Sequence, residues 1–437
     1  MAGEWETLPV AEAPLEIIDG DRGVNYPKQE DFGPSGDCLF LNTGNVTTTG
    51  FNFADRSFIT KEKDAALRKG KLKRQDVVLT TRGTVGNVAL FDDSVQFEDV
   101  RINSGMVLLR ADQSKLFPRY LFQFVRSPLF KEQVAALTTG SAQPQLPIRD
   151  IRRVEIPLPP LAEQKAIATV LGTLDDKIEL NRRMNATLEE MARALFKSWF
   201  VDFDPVRAKQ AGKQPAGMDA ETAALFPDAL EESELGEVPR GWRNGSIYEI
   251  ANVIYGAPFA SSLFNSEKRG KPLIRIRDLQ GEAPAVFTTE IHPKGYLLQP
   301  GDVAVGMDGE FRAYLWAGVE SWLNQRVCVF APKPGYTSAF VRNSIIAPLA
   351  QVEATETATT VIHLGKNDID RFIVIVPDAP VAKQFMQLCQ PWYDQIVANR
   401  QQSRTLAALR DTLLPKLLSG EISVANAEEE AGKGCAS

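Results

Sequence analysis

Apolar residues recur at alternating steps of four and three along two long stretches of the chain. The first row is Ile167, Leu171, Leu174, Ile178, Asn181, Asn185, Leu188, Ala192, Leu195 and Trp199. The second is Phe385, Cys389, Trp392, Ile396, Asn399, Ser403, Leu406, Arg410, Leu413 and Leu417. That period of 3.5 predicts two long helices, each with a coiled-coil seam. Pro159 and Pro160 suit the start of the first, where amide hydrogens have no intrahelical partner. It is expected from about Leu161 to Phe203, which at 1.5 Å per residue spans roughly 60 Å. Both rows turn polar in the middle, and a polar seam residue costs stability but fixes register. One stripe of that length cannot bury itself. The two helices are expected to pair with each other, antiparallel; the alternative is that each packs on its own globular domain.

A different period precedes each helix. Short β-like runs (CLFLN, DVVLT, NVALF, GMVLLR, RRVEIPL) alternate with turn signals, and FPRYLFQFVRSPLFKEQVAAL reads as one or two helices. The second half repeats the pattern with PLIRIRDL, GDVAVG, RVCVFAP and RFIVIVP. Leu72–Thr80 parallels Leu298–Gly306, and Asp150, Arg153 and Pro159 parallel Asp368, Arg371 and Pro377. The expected fold is therefore mixed α+β: two similar globular domains separated by a pair of long antiparallel coiled-coil helices, in a pseudo-two-fold internal repeat. The expected boundaries are 1–158 and 239–377 for the globular domains, and 159–203 and 378–423 for the helices. Residues 204–238, with three basic and eight acidic side chains, read as an exposed connector, and 424–437 as a disordered tail.

Composition narrows the chemistry. The 437 residues are 44% hydrophobic and 24% charged, with a net charge of −7, so a basic coat over the whole chain is excluded. Cys38, Cys328, Cys389 and Cys435 lie far apart with no CxxC spacing, and His292 and His363 are the only histidines. Zinc ribbons and most His-centred chemistry are therefore not expected. No apolar run approaches a membrane span and no signal region opens the chain, which points to a cytoplasmic protein. No Walker loop or GxGxxG is present, and Asp202 with Asp204 reads as a solvated helix end. No catalytic, cofactor-binding or metal residue is assigned.

Charge is concentrated locally. Arg56–Arg74 holds eight basic residues against two acidic ones, within a first domain of 20 basic and 21 acidic. Such a patch suits phosphate contacts, although a charge run is also an ordinary solvated face. Its candidates are Arg56, Lys61, Lys63, Lys69, Lys71, Lys73 and Arg74. The shorter set in the second half is Lys268, Arg269, Lys271, Arg275 and Arg277. Thr84 lies in the loop Gly83–Gly86 and Arg82 flanks it; glycine there allows close approach to a ligand or simply makes a hairpin turn. Amide and cationic side chains that suit base edges are Asn103, Gln143, Gln145, Arg312, Asn324, Gln325 and Arg326. Gln143 and Gln145 lie in the loop Thr138–Gln145, and its counterpart is Thr355–Thr360.

The segment LPPLAEQKAIATVLGTLDDKIELNRRMNATLEEMARALFKSWFVDFDPVRAK (Leu158–Lys209), with its echo LRDTLLPKLLSGEI (Leu409–Ile422), resembles the specificity subunit of type I restriction–modification systems. GDRGVNYPKQEDF followed by CLFLNTGNV is similar to that family's first recognition domain. Where PPLxEQ would recur, the second half has VPDAPVAKQF, and GMDGEFRAY replaces the counterpart of Arg82-Gly83-Thr84. The resemblance implies a non-catalytic reader of double-stranded DNA with two target-recognition domains. Its helices would set the spacing of a bipartite target and dock two methyltransferase subunits, with two restriction subunits completing the complex. S-adenosylmethionine, ATP and Mg²⁺ would be held by those partners and not by this chain. The competing readings are a coiled-coil scaffold that reads no sequence and an enzyme whose cofactor pocket carries no recognisable motif.

Overall fold

The computed structural model describes residues 5–137, 145–233, 236–355 and 362–427, together with 429 and 432. It divides into two compact units, Met1–Ile178 with Arg404–Ser437, and Glu179–Ser403.

Six strands order the first unit: β1 (Leu15–Asp19), β2 (Cys38–Leu41), β3 (Asp76–Thr80), β4 (Val88–Phe91), β5 (Val100–Ile102) and β6 (Met106–Ala111). Four of them make an antiparallel sheet in the order β1-β6-β3-β4. β2 pairs in parallel with β5 in a smaller sheet. Successive side chains of a strand point to opposite faces, and both faces of this sheet are covered. Val77, Leu79, Val107 and Leu109 pack on α1 (Pro118–Arg126) and on α2 (Leu161–Phe200), while Val78 and Leu108 pack on Leu39, Leu41 and Ile102.

The second unit is built the same way. Its strands are β7 (Ala251–Tyr255), β8 (Lys271–Ile274), β9 (Val303–Gly306), β10 (Ala313–Leu315), β11 (Ser321–Leu323) and β12 (Val327–Pro332). The main sheet runs β7-β12-β9-β10, and β8 pairs in parallel with β11. Val303, Val305, Cys328 and Phe330 face α3 (Ser338–Thr355) and α4 (Ala379–Ser419); Ala304, Val327 and Val329 face Ile274, Trp316 and Leu323.

The seam residues enter these cores. Ile167, Leu171 and Leu174 share the first unit's core with Leu406, Leu413 and Leu417, and Ile178 packs at its edge. Ala192, Trp199, Phe385, Cys389 and Ile396 belong to the second unit's core, with Leu188, Leu195 and Trp392 partly buried against it. The polar seam positions bond to one another within the second unit. Asn399 donates to Asn185 Oδ1 at 2.8 Å, and Asn181 donates to Ser403 Oγ at 3.3 Å as well as to neighbouring Gln402 Oε1 at 2.9 Å.

The structure departs from the sequence expectations at four places. The first long helix ends at Phe200, not Phe203, because Phe203 adopts a left-handed conformation with φ 55°. Residues 204–238 are not an exposed connector: Asp204–Gln210 and Ala220–Ala224 are helical, and Val206 and Phe226 are buried in the second unit's core. Their apolar side chains outweigh the acidic composition, and the Phe226 ring meets Trp199 edge-on at 4.9 Å. PLIRIRDL is strand only to Ile274; Ile276–Leu279 is a helical turn, whose Asp278 accepts the Arg275 amide at 3.0 Å. Val424–Ala427, at the start of the expected disordered tail, is helical, with Ala427 wholly buried in the first unit. Cys435 lies outside the described residues.

Candidate nucleic-acid interface

In the first unit, five loops meet at one end of the main sheet. β1 is followed by Gly20, where a Cβ would stand 2.2 Å from the Asn103 carbonyl oxygen, so glycine alone permits this approach. Asn103 turns its Oδ1 back to the Gly105 amide at 2.8 Å, a local side-chain turn. The Gly105 carbonyl accepts from the amides of Thr81 (2.8 Å) and Arg82 (3.2 Å). Thr84 donates to the Thr43 carbonyl at 3.3 Å, and Leu146 donates to Thr81 O at 3.0 Å, which brings exposed Gln145 to the same end.

This end carries unpaired positive charge. Arg68, Lys69 and Arg82 are exposed and make no ion pair among the described residues. The carboxylate beneath them is turned inward. Asp21 accepts from the amides of Gly23 (2.7 Å), Arg68 (2.7 Å) and Lys69 (3.4 Å). The Gly23 amide first, then those of Arg68 and Lys69, hold its carboxyl below the usual range against its burial.

The basic run read from the sequence is not one surface. Lys63 pairs with Asp31 at 2.9 Å, and Lys71 with Asp64 (2.7 Å) and Asp99 (2.8 Å). Arg74 donates to the carbonyls of Asp92 and Val95 and to Glu98, and lies 4.5 Å from the Phe91 ring centre. Lys73 and Arg74 also precede β3, whereas Arg82 follows it, so five strand residues, about 16 Å, separate them. Arg56, Lys61 and Lys73 are exposed without an ion pair among the described residues. Gln143, most of the loop Thr138–Gln145, and all but Thr355 of Thr355–Thr360 lie outside the described residues.

The second unit assembles the corresponding end with different side chains. β7 is followed by Gly256, where a Cβ would stand 2.0 Å from the Asn324 carbonyl oxygen. Asn324 Oδ1 accepts the Arg326 amide at 3.3 Å, and Arg326 O accepts the Met307 amide at 2.9 Å. Leu364 donates to Met307 O at 2.8 Å, which sets His363 against Asp308. Asp308 Oδ1 then contacts both His363 Nδ1 (2.7 Å) and Arg326 Nη1 (3.1 Å). Arg277, on the turn that meets Gly306, is exposed without an ion pair among the described residues, as Gln325 is exposed beside Arg326. The other candidates hold local carboxylates: Arg269 with Glu267 (2.8 Å), Lys271 with Glu320, Arg275 with Asp278 (3.3 Å), and Arg312 with Glu353 (3.1 Å). Lys268 is exposed, in a left-handed turn with φ 59°.

Sequence reasoning misses Gly20, Gly256, Asp21 and Asp308. A glycine closing an apolar run, as in LEIIDG and ANVIYG, is the signal that marks the first two. Gly256→Ala is expected to displace the Asn324 turn and destabilise the second unit by about 1–3 kcal/mol. Comparing denaturant midpoints of this variant and Gly281→Ala, a site with open space around it, checks the point.

The buried thiols are not candidates for chemistry. Burial pushes Cys38, Cys328 and Cys389 up to about 12, with Asp64 adding to the effect at Cys38, so all three stay protonated near neutral pH.

Residues 16–190 and 239–403 each match the model of the type I restriction modification DNA specificity domain. The chain belongs to this family. Among curated type I specificity subunits, the HindI subunit of Haemophilus influenzae is 25% identical, over 92% of this chain and 98% of its own length. The MjaIX subunit of Methanocaldococcus jannaschii is 26% identical, over 80% and 78%. The crystal structure of a type I S subunit from M. genitalium matches with a TM-score of 0.52 at 15% identity, covering 94% of this chain and 96% of that one, a likeness of fold.

Proposed function

We propose that the chain is the DNA-specificity subunit of a type I restriction–modification complex, each unit reading one half of a bipartite target. The observation that carries this is the paired loop ends. In each, a glycine-enforced crossing and an asparagine turn present side chains on a fixed backbone beside cations that make no ion pair among the described residues. Backbone phosphates position such a surface and base edges specify it. The long helices, paired as an antiparallel coiled coil within a pseudo-two-fold repeat, would set the unread spacing and receive two methyltransferase subunits. Those partners would supply S-adenosylmethionine, and two restriction subunits ATP and Mg²⁺, for a complex in the cytoplasm. This chain itself would carry no catalytic group. Among the described residues, no helix is long and apolar enough to cross a membrane.

The test is base-modification sequencing of DNA from cells expressing the partner methyltransferase with and without this chain. A methylated bipartite motif is expected only with the chain present. Exchanging the globular part of the first unit, residues 1–158, for that of another family member is expected to change one half of the motif and leave the other. Methylation without any motif, or with the motif unchanged by the exchange, would favour a scaffold that reads no sequence.

A further inference from the structure

We propose that Arg326 reads a guanine in the half-site of the second unit, oriented by Asp308, while neighbouring Arg277 holds a phosphate. This rests on the DNA-reading function proposed above and assigns the chemistry of one of its two surfaces.

The two arginines differ in what surrounds them. Arg326 gives Nη1 to Asp308 Oδ1 at 3.1 Å, and its Nε and Nη2 make no hydrogen bond among the described residues. The edge left free is two parallel N–H donors in a rigid plane. Guanine offers O6 and N7 as two adjacent acceptors in the major groove, and this pairing is the commonest specific arginine contact. Adenine and cytosine would each turn an amino donor toward that edge. A phosphate is a poorer partner here, because its charge would lie close to the Asp308 carboxylate. Arg277 meets no such carboxylate among the described residues, so its full positive charge is available to the DNA backbone.

Arg326 also stands on fixed backbone. Its amide is held by Asn324 and its carbonyl by Met307, while Gly256 closes against the Asn324 carbonyl from the other side. Asp308 is held in turn by His363. Base discrimination needs this support, since a side chain free to swing adapts to the wrong base. The first unit places Gly105, Arg82 and Gln145 at the positions of Arg326, Asp308 and His363, as the shared backbone hydrogen bonds show. At the position of Arg326 the first unit thus has a glycine, and no arginine fork stands there.

The experiment determines the methylated motif directed by the wild-type chain, Arg326→Ala, Asp308→Asn and Arg277→Ala, each with the same methyltransferase. The second unit's half-site is identified by exchanging the first unit's globular part. Arg326→Ala is expected to make one G·C position of that half-site degenerate, with about 5- to 150-fold less discrimination there and no change in the other half. Asp308→Asn relaxes the same position less. Arg277→Ala keeps the motif and lowers methylation at every site alike. Full strictness in Arg326→Ala overturns the proposal, as does a second half-site without an invariant G·C pair. Should Arg326→Ala methylate nothing, Arg326→Lys, which keeps the charge and loses the fork, decides: relaxation at that position supports the proposal, and an unaltered motif overturns it. A wild-type chain that directs no motif removes the DNA-reading function itself, a result separate from any of these.

Discussion

Asp175→Ala lowers the stability of the first unit by about 3–5 kcal/mol, the range for breaking a buried ion pair from one side. Asp175 accepts from Gln123 (2.7 Å), Arg126 (2.8 Å) and Arg410 (2.7 Å). It thereby ties α1 and the end of α4 to α2. Removing it takes from Arg126 its carboxylate and leaves Arg410 only Asp411, in a largely buried site. Burial alone would raise the Asp175 carboxyl, but Arg126 and Arg410 outweigh it and hold the group below the usual aspartate range. A depressed carboxylate stabilises the fold fully above its unfolded value of about 3.9, and loses that contribution as pH falls through the lower folded value. Wild type and variant should therefore differ most near neutral pH and converge under strong acid. Amide hydrogen exchange of β3 and β6 is the measurement, because a chain of two units need not unfold in one step. Unchanged protection at pH 7 would show that the site gains nothing from the charge.

Replacing Arg68, Lys69 and Arg82 together by alanine weakens DNA binding evenly across sequences. It lowers the slope of log affinity against log salt by about three, roughly one for each phosphate contact. Replacing Lys71 and Arg74 instead leaves that slope in place and loosens the fold, since those two hold carboxylates and carbonyls of their own unit. Anisotropy titrations of the assembled complex over a range of KCl concentrations separate the two sets. Equal slopes in both would place the phosphate track elsewhere on the protein.

That contrast marks how far the site is legible in sequence. Local repetition is readable: β3 and β9 are buried runs that each set valines after an aspartate, and the seam from Ile167 to Trp199 keeps its period because one face is buried. The basic run is readable as composition but not as a surface. A strand carries Arg82 away from Lys73 and Arg74, the partners of Arg74 come from Asp92–Glu98, and those of Lys71 are Asp64 and Asp99. The loop ends are joined by backbone hydrogen bonds, such as Leu146 to Thr81 and Leu364 to Met307, which impose no pattern on side chains. Residues 204–238 show the opposite failure. An acidic average conceals Val206 and Phe226, and a few well-placed apolar side chains are enough to fold such a stretch.

The first unit is made from two stretches of chain, and its core needs Leu406, Leu413 and Leu417 as well as Asp175's partner Arg410. The second unit is one uninterrupted stretch. During synthesis, the half translated later is therefore the first to be finished, while the half translated earlier waits on the ribosome with an apolar flank uncovered. A stop codon just past Ser403 would spare the later half and cripple the earlier one.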